Sequence, residues 1–363
     1  SYLKEGGRLA LVLPKAVLAG VSWHRVRKLF LEKYHIEYII SSFEGPDDWN
    51  FSENTSLSET LIIARKMRKP TQEKCYTIFV NLWVKPRNEI ESIFIGSLLL
   101  DMYNVAKLYD IQNANAPTYH IRIRGKKIGE AYATQLEDLN FNAFQLFAQS
   151  ELDRALILLT QGTVYTPSNG IIGRLPLTSL ANLIKEIGPD VRQIHSAFKR
   201  GNAYKGKEIY RAFWGHTSTL VRTMEQMPNY SLYPKDNALA QKTWMKSGKL
   251  LIVERAWLST YRVLSIVTPQ AVLSNVWWPI QTKEIKIKSG HHIPSDEVNK
   301  LLALWLNSTY GSLLLLSIAE VTRGAWVKFK KEPLYGLLVL DFRKLTKQQI
   351  NRLLDLYNKI CKE

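Results

Sequence analysis

A polar turn, Leu3-Lys4-Glu5-Gly6-Gly7-Arg8, runs into five apolar residues, Leu9-Ala10-Leu11-Val12-Leu13, and Pro14 ends the run. Apolar residues at successive rather than alternate positions predict a strand buried on both faces, as in a parallel sheet. A helix is expected from Ser22 to Tyr34. Val26, Leu29 and Phe30 share one face, Ser22 suits the N-cap, and Arg25, Arg27, Lys28 and Lys33 take the solvated side. Ile36–Ser41 is the next apolar strand, and strand, helix, strand in this span make a βαβ unit. The sequence opens on its first strand, so a segment that covers the sheet is expected upstream.

A loop over Phe43–Ser58 leads to further strands at Glu59–Lys66 and Cys75–Val84. Residues 1–85 thus supply at most half of a doubly wound sheet. Residues 86–170 predict a mostly helical connector, with helices at Glu89–Tyr109 and Asn142–Leu159, a strand at Tyr119–Arg124 and a basic turn, Arg124-Gly125-Lys126-Lys127. From residue 171 onward the texture is α+β. A short helix is expected from Leu177, with Leu180, Leu183, Ile184 and Ile187 on its face and Gly188-Pro189 closing it. Arg192–Arg211 reads as a basic loop hinged at Gly201 and Gly206. Strands are expected at Lys249–Trp257, Val263–Val267 and Ala271–Ile280, and a charge-guarded edge strand at Lys283–Lys288. Leu301–Ala319 predicts one buried helix. Asn307, Ser308, Thr309 and Gly311 interrupt it, and a membrane span needs roughly 20 uninterrupted apolar residues. Thr346 and Gln349 form a capping box for a final helix striped by Ile350, Leu353, Leu354, Tyr357 and Ile360.

Composition sharpens this picture in one respect. Among 363 residues, 49 are Lys or Arg against 32 Asp or Glu, a net charge of +17. A surplus of that size points to a polyanion partner, because neutralised phosphates release counterions. Cys75 and Cys361 lie far apart with no CxxC spacing, so neither a zinc site nor a disulfide framework is suggested. No secretory leader pattern opens the sequence, and a reducing, cytoplasmic setting is expected.

Two stretches mix cations with aromatic rings. Arg192–Trp214 holds Lys199, Arg200, Lys205, Lys207 and Arg211 beside Tyr204, Tyr210 and Trp214. Thr322–Lys331 holds Arg323, Trp326, Lys328 and Lys330 around Phe329. Long cationic side chains suit phosphates, planar rings suit bases, and an arginine reads a guanine edge through two hydrogen bonds. The bland alternative is that Trp326 and Phe329 are core and the lysines protect a strand edge. His195 and His216 have no acidic partner set nearby, and Asp47, Asp48 and Glu53 read as a solvated acidic loop. His291-His292 reads as a turn.

The segment Leu3–Pro14, with Leu18-Ala19-Gly20, Trp23 and Ser58-Glu59-Thr60-Leu61-Ile62-Ile63-Ala64-Arg65-Lys66, resembles the distal half of adenine-N6 DNA methyltransferases of the restriction–modification type. Asn307-Ser308-Thr309 and Thr322–Lys328 are similar to the end of the same enzymes. The resemblance implies a partial Rossmann-like methyltransferase sheet, its last strand in the antiparallel position, followed by an α+β target-recognition domain that binds double-stranded DNA. It also implies S-adenosylmethionine as cofactor of the complete enzyme. The Gly-rich cofactor turn and the Asn/Asp-Pro-Pro-Tyr/Phe sequence that holds an extruded adenine are not found in this chain; Met227-Pro228-Asn229-Tyr230 has related letters in the wrong order. The chain alone is therefore expected to bind no cofactor and to be inactive, and its partner is a missing N-terminal methylase half or a separate methylase subunit. A stand-alone, non-catalytic DNA-binding or specificity subunit is the alternative, and a structural protein with a basic surface is a third.

Overall fold

A computed structural model describes residues 3–43, 51–52, 58–67, 76–109, 118–136, 141–166, 168–200, 209–215, 220–257, 263–321 and 326–361. They form two compact units, residues 1–174 with 316–327, and residues 175–315 with 328–363. The whole is a mixed α/β protein with several sheets.

The first unit contains β1 (Arg8–Pro14), α1 (His24–Lys33), β2 (Tyr34–Ser42), β3 (Glu59–Lys66), β4 (Tyr76–Leu82), α2 (Glu89–Tyr109), β5 (Tyr119–Ile123), β6 (Lys126–Gln135), α3 (Ser150–Thr160) and the hairpin of β7 (Thr163–Thr166) with β8 (Gly170–Arg174). Six strands make one sheet in the order β1-β3-β2-β4-β6-β5. β3 runs antiparallel to both β1 and β2, while β2 and β4 are parallel. β4 is buried at every position and is the centre of the sheet. On one side of it α2 lays Ile95, Leu99 and Met102 on Ile78, Val80, Ile121 and Ala131.

Four elements differ from expectation for identifiable reasons. β1 has the composition of a strand buried on both faces, yet it stands at the sheet edge, with Leu11 41% and Val12 44% exposed. Residues 86–170 are not a helical connector: β5 and β6 belong to the same sheet as β1–β4. The small residues of β6 (Gly129, Ala131, Ala133) give a weak strand signal, but Gly129 is where the backbone of Asn81 comes close. Ser22 does not cap α1, which starts two residues later from Trp23. Arg27 is buried, its guanidinium donating to the carbonyls of Val17 and Gly20, both at 2.9 Å. It clamps the turn after β1 rather than facing solvent.

Gln145 joins the parallel pair from outside the sheet. Its Nε2 donates to Val80 O (2.7 Å) and Asn81 Oδ1 (3.0 Å), and its Oε1 accepts from Ser41 Oγ (2.9 Å). Gln145→Leu keeps the volume and strands these groups without water. It is expected to cost the first unit about 2–3 kcal/mol, checked as faster amide exchange in β2 and β4.

The rest of the chain supplies β9 (Leu177–Ser179), β10 (Ile184–Ile187), α4 (Val191–Ala197), β11 (Phe198–Arg200), β12 (Tyr210–Phe213), β13 (Tyr230–Pro234), α5 (Asn237–Trp244), β14 (Gly248–Val253), β15 (Arg255–Trp257), β16 (Ser265–Ser274), β17 (Trp277–Thr282), β18 (Ile285–Lys286) and β19 (His292–Ile293). There follow α6 (Ser295–Leu306), α7 (Thr309–Ser317), β20 (Glu320–Val321), β21 (Trp326–Lys328), α8 (Lys331–Gly336), β22 (Leu338–Leu340) and α9 (Lys347–Ile360). The second unit is built on a seven-stranded sheet ordered β10-β17-β14-β16-β12-β13-β11.

The helix expected from Leu177 is instead β9, a single 3-10 turn and β10. Leu180, Leu183, Ile184 and Ile187 are all buried, but Ile184 and Ile187 pair with Thr282 and Ile280 of β17 across a bulge. Tertiary pairing of two β-branched residues outweighs a helical spacing. The loop expected at Arg192–Arg211 begins as α4, with Asp190 and Gln193 closing a capping box, and passes into β11. The expected strands at Val263–Val267 and Ala271–Ile280 are β16, one strand, and β17. The single buried helix is two, broken at Asn307. Its amide accepts from Leu264 N (2.7 Å) and donates to Ser265 O (2.7 Å) and Ala303 O (2.8 Å), pinning the end of α6 to β16. α9 has the expected box, Gln349 N donating to Thr346 Oγ1 and Thr346 N to Gln349 Oε1. Ile350 and Tyr357 are buried on its stripe, while Ile360 is exposed.

Candidate nucleic-acid interface

The basic stretch is positioned by strand alternation. In β11, Phe198 lies opposite Pro234 and Lys199 opposite Tyr233; in β12, Arg211 lies opposite Ser231 and Ala212 opposite Tyr230. Phe198, Tyr210, Ala212 and Leu232 form a core with Ile194 and Ala197 of α4 and Ala240 of α5. Lys199 and Arg211 fall between those core positions, so both point out of the opposite face and are exposed. The Arg211 guanidinium reaches Ser231 Oγ at 3.4 Å. Arg200 belongs to β11, and Lys205 and Lys207 lie outside the described residues. Arg192, Lys235 and Lys242 add exposed cations on the flanking elements. Arg192 opens the stretch read in sequence; Lys235 and Lys242 were missed because they are dispersed among turn and helix residues.

Trp214 is 7% exposed, not a surface ring. His195 meets it edge-on at 5.7 Å, and Tyr230 lies nearly parallel to it at 6.3 Å. Tyr230 is the exposed ring here, resting on Trp214. Asn229 holds the Trp214 backbone: Trp214 N donates to its Oδ1 (2.7 Å) and its Nδ2 donates to Trp214 O (2.9 Å). The amide of Met227-Pro228-Asn229-Tyr230 is thus spent on the backbone.

In the second stretch Arg323 lies outside the described residues. Trp326 is partly exposed, Val327 and Phe329 are buried, and Lys328 and Lys330 are half-buried. Phe329 is core, its amide donating to Glu254 O (2.8 Å) and its carbonyl accepting from Trp278 Nε1 (2.9 Å). Lys328 pairs with Glu254 at 3.7 Å. The bland alternative thus describes Phe329, whereas Trp326 keeps a ring at the surface.

A second polar cluster, not legible in the sequence, lies at the carboxyl ends of β1, β2 and β4, where open α/β sheets commonly bind ligands. Lys15 follows β1 directly, with Nζ 4.0 Å above the Phe43 ring. Burial pushes its ammonium down to about 8, against the opposing pull of Asp153. Asp153 of α3 is wholly buried, and burial pushes its carboxyl well above the usual range. Its Oδ1 accepts from the amides of Leu146 and Phe147, both at 2.9 Å, and its Oδ2 from Asn81 Nδ2 at 3.3 Å. These bonds fasten the segment before α3 to the sheet and turn the cluster inward. Among the described residues no group of three or more His, Cys, Asp or Glu is placed to hold a metal, and no helix is long and apolar enough to cross a membrane.

No protein-family model and no curated protein sequence matches this chain.

Proposed function

We propose that this chain is the distal portion of an adenine-N6 DNA methyltransferase of the restriction–modification type. Its first unit completes a Rossmann-like methylase sheet, and its second unit grips duplex DNA and reads the target. The observation that carries the reading is the arrangement β1-β3-β2, in which the antiparallel β3 sits between two strands that run the same way. The resemblance gives the Ser58–Lys66 segment an antiparallel position closing the sheet; β3 is antiparallel, and the sheet runs on past it on both sides, to β1 and to β2-β4-β6-β5. The exposed edge of β1 supports it further. An apolar strand with one described neighbour is suited to receive another strand, here the catalytic one.

Among the described residues, the glycine turn and the Asn229 amide do not fit S-adenosylmethionine. A cofactor turn follows its strand and opens a helix. Here Gly6-Gly7 precedes β1, and the Gly6 amide donates to Lys66 O at 2.9 Å, closing the turn onto β3. The Asn229 amide, as described, is occupied by Trp214. Cofactor binding and methyl transfer are accordingly assigned to a catalytic half, and this chain to positioning and reading DNA.

The reading frame upstream of Ser1 tests this. An open frame encoding a Gly-rich turn and an Asn/Asp-Pro-Pro-aromatic motif is expected. A stop codon with no neighbouring methylase gene would instead favour a stand-alone specificity subunit. Within the chain, Arg323→Ala is expected to narrow the gap between specific and random duplex by about 1–3 kcal/mol. An equal loss on both duplexes in competition titrations would reduce Arg323 to a phosphate contact.

A further inference from the structure

The strands of the first unit are apolar on both faces but covered unequally. On one face Ile36, Ile39, Ile62 and Ala64 are buried. On the other, α2 lies over β4, β5 and β6 and reaches β2 through Tyr103, whose ring lies 6.1 Å from that of Tyr38, while Tyr38, Ile40, Leu61 and Ile63 stay partly exposed. The result is a trough of about 780 Å³, floored by those residues and walled by α2 at Gly96, Leu100 and Tyr103. Exposed apolar residues extend beyond the lining: Ile93, one turn before Gly96 on α2 (70% exposed), and Val12, opposite Leu61 on β1 (44% exposed). A patch of this kind marks an interaction surface, and its spread beyond the cavity argues against a small ligand.

One end is charged. Glu37 is the extra residue of a bulge in β2, between Ile36 and Tyr38. Arg8 Nε approaches its carboxylate at 2.6 Å and Arg65 Nε at 3.3 Å. The Glu37 side chain is 3% exposed, those of Arg8 and Arg65 62% and 42%. Two cations share one anion, and both still face solvent.

We propose that the trough seats an amphipathic α-helix of the methylase half, lying beside α2. Its apolar stripe rests on Leu61, Ile63 and Tyr38, and an acidic residue at its end meets Arg8 and Arg65. A helix laid in a groove needs anchors at i, i+3, i+4 and i+7, and a sheet face next to one helix is completed by another. The identity of the donor rests on the function proposed above; the seat rests on the trough and its charged end.

Gly96 provides the test, because a side chain built there meets nothing within 4 Å and would project into open space. Gly96→Trp plugs the trough from its wall and removes a glycine from a helix interior, so the chain is expected to melt no earlier than the parent. Should it melt early, Gly96→Leu is read in its place. The probe is a fluorescein-labelled peptide of about 16 residues, with leucine at the four anchor positions and glutamate at both ends. Anisotropy with the full chain is expected to show saturable binding. Changing the terminal glutamates to lysine should weaken it about tenfold, and the plugged chain should lose it by at least that factor. Equal binding by parent and plugged chains, or indifference to the peptide's charge, would overturn the proposal. So would a dimer that the plug breaks and the peptide does not, since a second copy would then own the trough. DNA binding is read in the same samples. A parent chain that binds DNA but not the peptide overturns the seat alone, and one that binds the peptide but not DNA overturns the DNA reading alone.

Discussion

Replacing Lys199, Arg200, Lys205 and Lys207 together with alanine is expected to weaken duplex binding by about a hundredfold or more at 0.1 M salt, equally for every sequence. Each phosphate contact releases about 0.9 counterion, so four lost contacts lower the slope of log K against log salt by about 3 to 4. Lys199 and Arg211 leave the same face of the β11–β13–β12 edge, and Phe198, Tyr210 and Leu232 turn away from them into the core. Lys199 can thus be lost without touching the core, and a thermal melt of the variant checks that the change at Arg200, opposite Leu232 in the register, leaves it intact. Anisotropy titrations of labelled duplex over a salt series check the result. An unchanged slope would remove this stretch from the interface.

The second large effect concerns Gly311, at the start of α7. A Cβ there would overlap the Trp305 carbonyl, 2.6 Å from its carbon and 3.0 Å from Leu306 Cα. Both obstacles are backbone, and the Asn307 amide holds that backbone to β16. Gly311→Ala is expected to destabilise the second unit by about 3 kcal/mol or more, with the first unit melting as before. Separate unfolding transitions followed by hydrogen exchange check this, and an unaltered second unit would mean that α7 shifts freely.

The strands and helices of the opening were legible because local signals and tertiary demands agree there. Glu59–Lys66 and Glu89–Tyr109 match β3 and α2 at both ends, and the Thr346–Gln349 box is a purely local device. Leu180, Leu183, Ile184 and Ile187 misled, since helical spacing also suits a turn followed by a bulged strand, and only pairing with β17 decides. At the candidate interface the basic character of Arg192–Arg211 was readable but its strands were not: the stretch reads as a glycine-hinged loop, and pairing with β13 sets β11 and β12. Whether an interleaved ring faces in or out was not readable either: Trp214 is buried and Tyr230 takes the surface. Arg27 likewise looks solvated by spacing, and is buried because the turn after β1 leaves carbonyls that only a long donor reaches. The apolar content of β1 was plain in the sequence; its place at an edge was not, because pairing partners are non-local.

The proposed function requires that this chain bind duplex DNA through its basic residues. Equilibrium titration of the intact chain with a fluorescent duplex at 50 and 200 mM salt, between which the Debye length falls from about 14 to about 7 Å, addresses this most directly. Tight binding at the lower concentration, falling steeply at the higher, is the outcome predicted; failure to bind at 50 mM salt would contradict it.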